Sequence, residues 1–489
     1  MSGFDLSRRA RVAPLPDVEA SKVPDGATLL SDVHAVERGW LDPSSLTSPG
    51  HLLVPAPTGG GKSALLMNVL TSRKSDHLSL HFLCADRKGE AMEYGLPMTA
   101  LRNVSALQTT CYINLFAPDG APGRVPMNLA KANYGDAPRR LIAQSLAHLI
   151  SKTAAGEAQS GSASYRIQAV LVSVVWAVLC ADHPSRSLLW AADCLTLPDG
   201  IARLAALVPD EEVRVELQSV QSSPSDARAG ALARLRVLNG WDGLAAQLGA
   251  GSCIDFGNLA RTSDVYIDLA NAPAGSDQVV LTFGNLLVEQ FARALLRRPP
   301  PGFPPGVTTC FIDEALQFAP ALTTIARPIL ETGRSFGVEL WLSAQHLRGL
   351  RDLGTVWDAI IANSHRLVGA VGAEDASLIA REQYGSAGDP RASAMIRRIA
   401  AMKPRDFCLA ARDRVQFFRS ADIDFRALEK ARRKHEDQFQ EVYWRLSPRV
   451  LPRPVRLWEV GGPRVDTFAS VHPSSETPRP PKRPRSRFG

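Results

Sequence analysis

Residues 56–63 read Ala-Pro-Thr-Gly-Gly-Gly-Lys-Ser. Three glycines in a row let the backbone fold tightly, turning its N–H groups toward an anion, and a lysine and a hydroxyl follow at once. Such a loop suits a nucleotide polyphosphate. Thr58, Gly59, Gly60 and Gly61 would wrap it, Lys62 would reach the β- and γ-phosphates as a point charge, and Ser63 would ligate Mg2+. The pattern is GxxxxGK[ST] except that Ala56 stands where the first glycine is expected. ATP and Mg2+ are therefore the expected cofactors.

A second run, Val307 to Ala315 (VTTCFIDEA), carries apolar and β-branched residues straight into two carboxylates. That is the look of a buried strand ending at a nucleotide. Asp313 would hold Mg2+ through water, and Glu314 would polarise the water that attacks the γ-phosphate. A third run, Gly333 to Gln345 (GRSFGVELWLSAQ), puts an arginine on a turn and then an apolar strand. If that strand lies beside the Asp313 strand, Gln345 comes near the γ-phosphate and can sense hydrolysis by exchanging hydrogen bonds. Arg334 is a candidate arginine finger for the nucleotide of an adjacent subunit, with Arg327 as its rival. Catalytic work is thus expected of Lys62, Glu314, Gln345 and Arg334, and metal binding of Ser63 and Asp313.

The elements needed to position these residues are legible too. His51–Pro55 is a short apolar strand, and Ser63–Leu70 follows the glycine turn with helical periodicity. Strand, glycine turn and helix make an α/β signature. Leu78–Ala85 reads as a second strand, and Val265–Leu269, Thr308–Ile312, Val338–Leu342 and Arg366–Ala370 as later ones, with helical stretches such as Leu286–Leu296 between them. Between them, from about Asp136 to Leu248, the chain is rich in Ala and Leu at helical spacing, including 141–150 and the run Ile167–Ala181. About 250 residues separate Ser63 from Asp313, too many for one compact βαβ unit, and an all-helical insertion accounts for the gap. The expected divisions are a leader at 1–45, a first motor part at 46–135, the helical insertion at 136–250, a second motor part at 251–428, an extension at 429–469 and a basic Pro-rich tail at 470–489. A stiff Pro-rich connection, Pro299–Pro305, precedes the acidic strand.

Composition narrows the classes. The 489 residues are 45% hydrophobic and 21% charged, as in a globular protein of two or three domains. A net charge of +7 suits a polyanionic partner such as nucleic acid, though much of the excess lies at 426–434 and 479–487. The seven scattered cysteines form no CxxC pair, which speaks against a zinc site or disulfide framework. No apolar run reaches the roughly 18–20 residues of a membrane span, and no signal peptide opens the chain.

The segments HLLVPAPTGGGKS, CADRKGE (84–90), FIDEALQFAP, GRSFGVELWLSAQHLRGL and AIIANSHRLVGAVGAEDASLIAREQYG, in this order, resemble type IV secretion and conjugation coupling proteins of the TraG/TraD kind, within the FtsK/HerA superfamily. The likeness covers roughly residues 46–425. It implies a RecA-like P-loop motor with a mostly parallel central sheet, assembled as a homo-oligomeric ring, usually a hexamer, that moves DNA using ATP. It also implies the roles already assigned to Lys62, Ser63, Asp313, Glu314, Gln345 and Arg334. Asp86, Lys88 and Glu90 match the family's D-x-K-G-E run, with a structural or a nucleotide-proximal role left open. Implied partners are DNA, a relaxase and a secretion channel.

Two departures stand out: Ala56, and the absence of the transmembrane helices with which such proteins usually begin. The second leaves three options for a cytoplasmic motor: recruitment to the inner membrane face by a separate subunit, service to a mobile element, or a HerA-like role in DNA processing or defence. An ATPase that energises protein export without DNA is a further alternative.

Overall fold

A computed structural model describes residues 50–76, 81–86, 88–118, 120–154, 162–270, 272, 277–297, 307–386, 388–411, 415–420, 424–448 and 450–460. The expected leader at 1–45, the connection at 299–305, the tail at 470–489, residues 461–469 of the extension and Leu78–Leu80 of the second expected strand lie outside these.

Among the described residues nine strands form one sheet: β1 (His51–Pro55), β2 (His81–Asp86), β3 (Thr110–Asn114), β4 (Asp264–Asp268), β5 (Thr308–Ile312), β6 (Val338–Ala344), β7 (Ser364–Val368), β8 (Asp406–Ala410) and β9 (Val415–Arg419). Their order is β3-β4-β2-β5-β6-β1-β7-β8-β9. The strands from β3 to β7 in that order pair in parallel, and β8 and β9 add an antiparallel hairpin at one edge. This is the expected α/β class with a mostly parallel sheet.

β1, β5 and β6 are buried at every position, as strands covered on both faces must be. Side chains alternate between those faces. Leu53, Leu83, Cys310, Ile312 and Leu340 join one apolar cluster, while Leu52, Val54, Phe82, Phe311 and Trp341 join the other. The second cluster is covered by the helices Lys62–Asp76, Glu90–Arg102, Phe425–Lys434 and Glu436–Trp444. The first is continuous with the helices Asp277–Leu295 and Ala319–Thr332 and with the helical block.

That block spans the helices Arg139–Ala154, Ser162–Cys180, Leu189–Thr196, Gly200–Ala206, Glu211–Ser219, Ser225–Leu235 and Asp242–Leu248. No strand interrupts it among the described residues. β3 and β4, which flank it in sequence, pair directly in the sheet, from Thr110 opposite Asp264 to Asn114 opposite Asp268. The apolar run at 167–181 is a core helix with Leu171, Val174 and Val175 buried, and no described helix is long and apolar enough to cross a membrane.

Several boundaries move. β4 and β7 begin earlier than expected, β6 runs on to Ala344, and the helix expected at 286–296 starts at Asp277. Three strands, β3, β8 and β9, have no counterpart in the sequence reading.

Candidate nucleotide site

The chemistry-bearing residues gather at the C-terminal ends of the parallel strands. β1 ends at Pro55 and enters the glycine loop, β2 ends at Asp86, β5 leads into Asp313 and Glu314, and β6 leads into Gln345. In open α/β sheets this edge is where ligands bind.

The loop geometry depends on its glycines. Gly59 and Gly61 have φ of 75° and 80°, the left-handed region that L side chains avoid. A Cβ on Gly60 would lie 3.0 Å from Pro57 O. The loop is held by Gly60 N–H donating to Pro57 O (3.1 Å) and by Ala56 N–H donating to Ala344 O (2.9 Å). The helix Lys62–Asp76 follows with no acid in its first turn, which leaves its N-terminal N–H groups and dipole to an anion.

Ala56, the departure from the loop pattern, is fully buried. Its methyl faces Gly369, just after β7, where an added Cβ would come within 2.6 Å of Ala56 Cβ. A missing side chain on the neighbouring strand thus makes room for the extra one in the loop.

Ser63 Oγ donates to Asp313 Oδ2 at 2.9 Å, and Lys62 Nζ donates to Glu314 Oε1 at 3.2 Å. Both pairs are buried. Ser343 Oγ, inside β6, donates to Asp313 Oδ1 and accepts from Glu314 N–H at 3.2 Å. Glu314 adopts φ 53°, ψ 54°. That left-handed conformation is costly for a non-glycine residue. Its carboxylate takes three donors: Lys62, Lys88 Nζ at 2.9 Å on Oε1, and Gln345 Nε2 at 3.1 Å on Oε2. Burial would raise the Glu314 carboxyl, but the hydrogen bond from Lys88, the charge of Lys62 and the hydrogen bond from Gln345 outweigh it and hold the group below its ordinary range. For Lys88, burial opposes the charged form, and the bond and charge of Glu314 prevail and raise it.

Ser63 and Asp313 present two adjacent hard oxygens, a fit for Mg2+. No cluster of three or more His, Cys, Asp or Glu suited to a metal exists among the described residues. Mg2+ here would take most of its ligands from phosphate and water, as it usually does.

The D-x-K-G-E run divides. Lys88 reaches the site, Asp86 Oδ1 closes the turn by accepting Lys88 N–H at 2.8 Å, and Glu90 opens the helix Glu90–Arg102 after Gly89. Arg334 is not brought to the other site residues. It precedes β6 and lies exposed at the opposite edge of the sheet, roughly 20 Å away along a seven-residue strand. Arg327 is exposed on the helix Ala319–Thr332 and pairs with Glu331 at 2.7 Å. One neighbour of the loop escaped the sequence reading: Arg405 N–H donates to Gly60 O at 3.2 Å. Its signal was a proline followed by a non-glycine residue in a turn.

No family model matches the chain, and no curated protein sequence matches it significantly. Among solved structures it is similar to VirB4 of Thermoanaerobacter pseudethanolicus, with a TM-score of 0.51 and 15% identity over 77% of this chain and 91% of that one. It also matches the bacterial conjugative coupling protein TrwBdeltaN70 (TM-score 0.48, 14% identity, 77% and 86% covered) and the plasmid coupling protein TrwB in complex with ADP and Mg2+ (TM-score 0.47, 13%, 76% and 85%). The likeness to VirB4 establishes the fold, and that fold is the one expected from the resemblance to coupling-type P-loop ATPases.

Proposed function

We propose that this chain hydrolyses ATP and uses the energy to move DNA, as a cytoplasmic motor of the coupling-protein or HerA type. The observation that carries this is the placing of Glu314. A carboxylate held ionised by two lysines and a glutamine, beside a phosphate-binding loop and a Ser63–Asp313 pair, is equipped to take a proton from water. Lys62 offsets charge on the β- and γ-phosphates, and Gln345 exchanges hydrogen bonds with the water or the γ-phosphate. Mg2+ bound through Ser63 and Asp313 would neutralise charge on the phosphate oxygens. Thr58, Gly59 and Gly61 contribute backbone N–H groups, and Gly60, whose N–H is taken by Pro57 O, contributes the bend that aims them. In this reading, residues 46–135 and 251–428 make the motor and 136–250 its helical insertion.

The motor works as a homo-oligomeric ring, a hexamer, with Arg334 reaching the neighbouring subunit's nucleotide. DNA is held mainly through its phosphates and hence salt-sensitively, and a relaxase, a type IV secretion channel or a separate membrane subunit supplies the context. ATP turnover should therefore rise with DNA at low salt, and the rise should fade as salt is added. Lys62→Ala should lose nucleotide binding or turnover. Glu314→Gln should keep binding and lose hydrolysis by a factor of about 100 or more. Normal turnover in either variant would sink the site assignment. Turnover indifferent to DNA would favour an ATPase that energises protein export.

A further inference from the structure

The turn before β8 reads Lys403-Pro404-Arg405-Asp406, and Asp406 N–H closes it on Lys403 O at 3.0 Å. A type II turn of this form, with proline second, needs positive φ at its third position, where glycine is the usual choice. Arg405 occupies that position at φ 77°. Among the described residues, the other non-glycine residue with positive φ is Glu314, already placed in the site. Strain of this kind persists where surrounding contacts impose it, and it gathers at functional sites.

Those contacts lie on the phosphate loop. Arg405 N–H donates to Gly60 O, and Arg405 O accepts Ser420 N–H at 2.9 Å, tying the turn to the end of β9. Arg405 Cγ stands 3.2 Å from the point a Cβ on Gly61 would occupy. A cationic side chain therefore leans over the loop from the β7–β8 side. Glu314, Lys88 and Gln345 approach from β5, β2 and β6, on the other side of β1.

We infer that Arg405 binds the nucleotide from this flank, its guanidinium pairing with the phosphate oxygens that ADP and ATP have in common. The inference rests on the ATP reading of the site. Glycine would relieve the turn, but only arginine brings a planar, bidentate fork to a phosphate. Since Glu314 stands on the far flank, Arg405 governs affinity rather than the hydrolytic step.

Arg405→Gly removes the side chain and the strain together, which makes it the informative variant. Without nucleotide its melting temperature should equal or exceed that of the parent. Its dissociation constant for ADP, measured by calorimetry, should rise about tenfold. The KM for ATP should rise by a similar factor while kcat changes less than about threefold, and Arg405→Lys should recover part of the affinity. ADP binding as tight as the parent's would overturn the inference, as would a loss of affinity that merely follows a lower melting temperature. A fall in kcat with ADP affinity intact would also overturn it, because the arginine would then act on the γ-phosphate. Lys62→Ala separates this inference from its premise. If Lys62→Ala binds ADP normally, both fall; if it loses ADP and Arg405→Gly does not, only the role of Arg405 fails.

Discussion

Glu314 sits where burial alone would favour its neutral acid, yet three donors keep it ionised. Of these, Lys88 is the cation that the phosphate-loop pattern does not supply. Replacing it by methionine leaves Glu314 with less positive charge, so its carboxyl should titrate higher. The acid limb of the kcat/KM profile should then move to higher pH, with the loss of activity confined to the acid side and little change near neutrality. A profile that drops without shifting would show that Lys88 holds structure and not charge. The meeting of Lys62, Ser63, Asp313 and Glu314 was legible in the sequence because local order fixes their places: the hydroxyl follows the lysine, and the acids follow the strand. Lys88 was ambiguous because its partner is 226 residues away, and Arg405 was missed because a proline before a non-glycine residue marks a turn without revealing its positive φ or its contact with the loop.

At the level of elements, β1 is positioned by what lies against both of its ends. At its exit, Ala56 packs on Gly369, and the strands are joined there by Gly369 N–H donating to Pro55 O at 2.8 Å. Gly369→Ala should crowd the loop and cost about 1–3 kcal/mol. Ala56→Gly in the same chain should recover much of that loss, and denaturant unfolding of the two single variants and the double variant reads the coupling.

At its entrance, buried His51 accepts Leu340 N–H on Nδ1 at 3.0 Å. Burial, then the charge of Arg334, push its imidazole from 6.5 down to about 4, with the nearby Leu330 backbone acting the other way and a smaller downward push from His365. The unfolded imidazole takes its proton near 6.5, so the stabilisation is complete above that pH and is lost as pH falls toward 4. About 3 kcal/mol should disappear across that window. Unfolding midpoints for His51→Gln should lack this slope. Among the missed strands, β8 and β9 pair antiparallel through mixed segments such as VQFFR, which lack the pure apolar signature of the parallel core. β3 (TCYIN) lacks a clean apolar run and ends just before a segment rich in Pro and Gly, so no periodicity marked it.

For the whole molecule, the α/β class and the helical block were legible because periodicity changes sharply at their borders. The strand order was not, since it depends on pairings between distant segments. Arg334, at the far edge of the sheet from Glu314, can serve a nucleotide only across a subunit boundary. Arg334→Ala and Glu314→Gln should each be inactive alone. Mixed in equal amounts under conditions that let rings reassemble, they should recover about a quarter of the parental ATPase rate, because one interface in four would combine an intact Glu314 with an intact Arg334. A mixture no more active than its parents would remove Arg334 from the mechanism.

The position of β1 in the sheet has a consequence for the way the protein is made. Both neighbours of β1, β6 and β7, come from the far part of the chain, and Leu340 lies 289 residues beyond the His51 that it contacts. A ribosome adding about 5–20 residues each second would leave that apolar strand without a partner for roughly 15–60 s. During that interval the nascent chain already carries the whole phosphate loop but has nothing to brace it. A translation product stopped anywhere between Ser63 and Val338 would contain the phosphate-loop motif and would still lack the strands that brace it, and its unpaired β1 would be left for chaperones to shield.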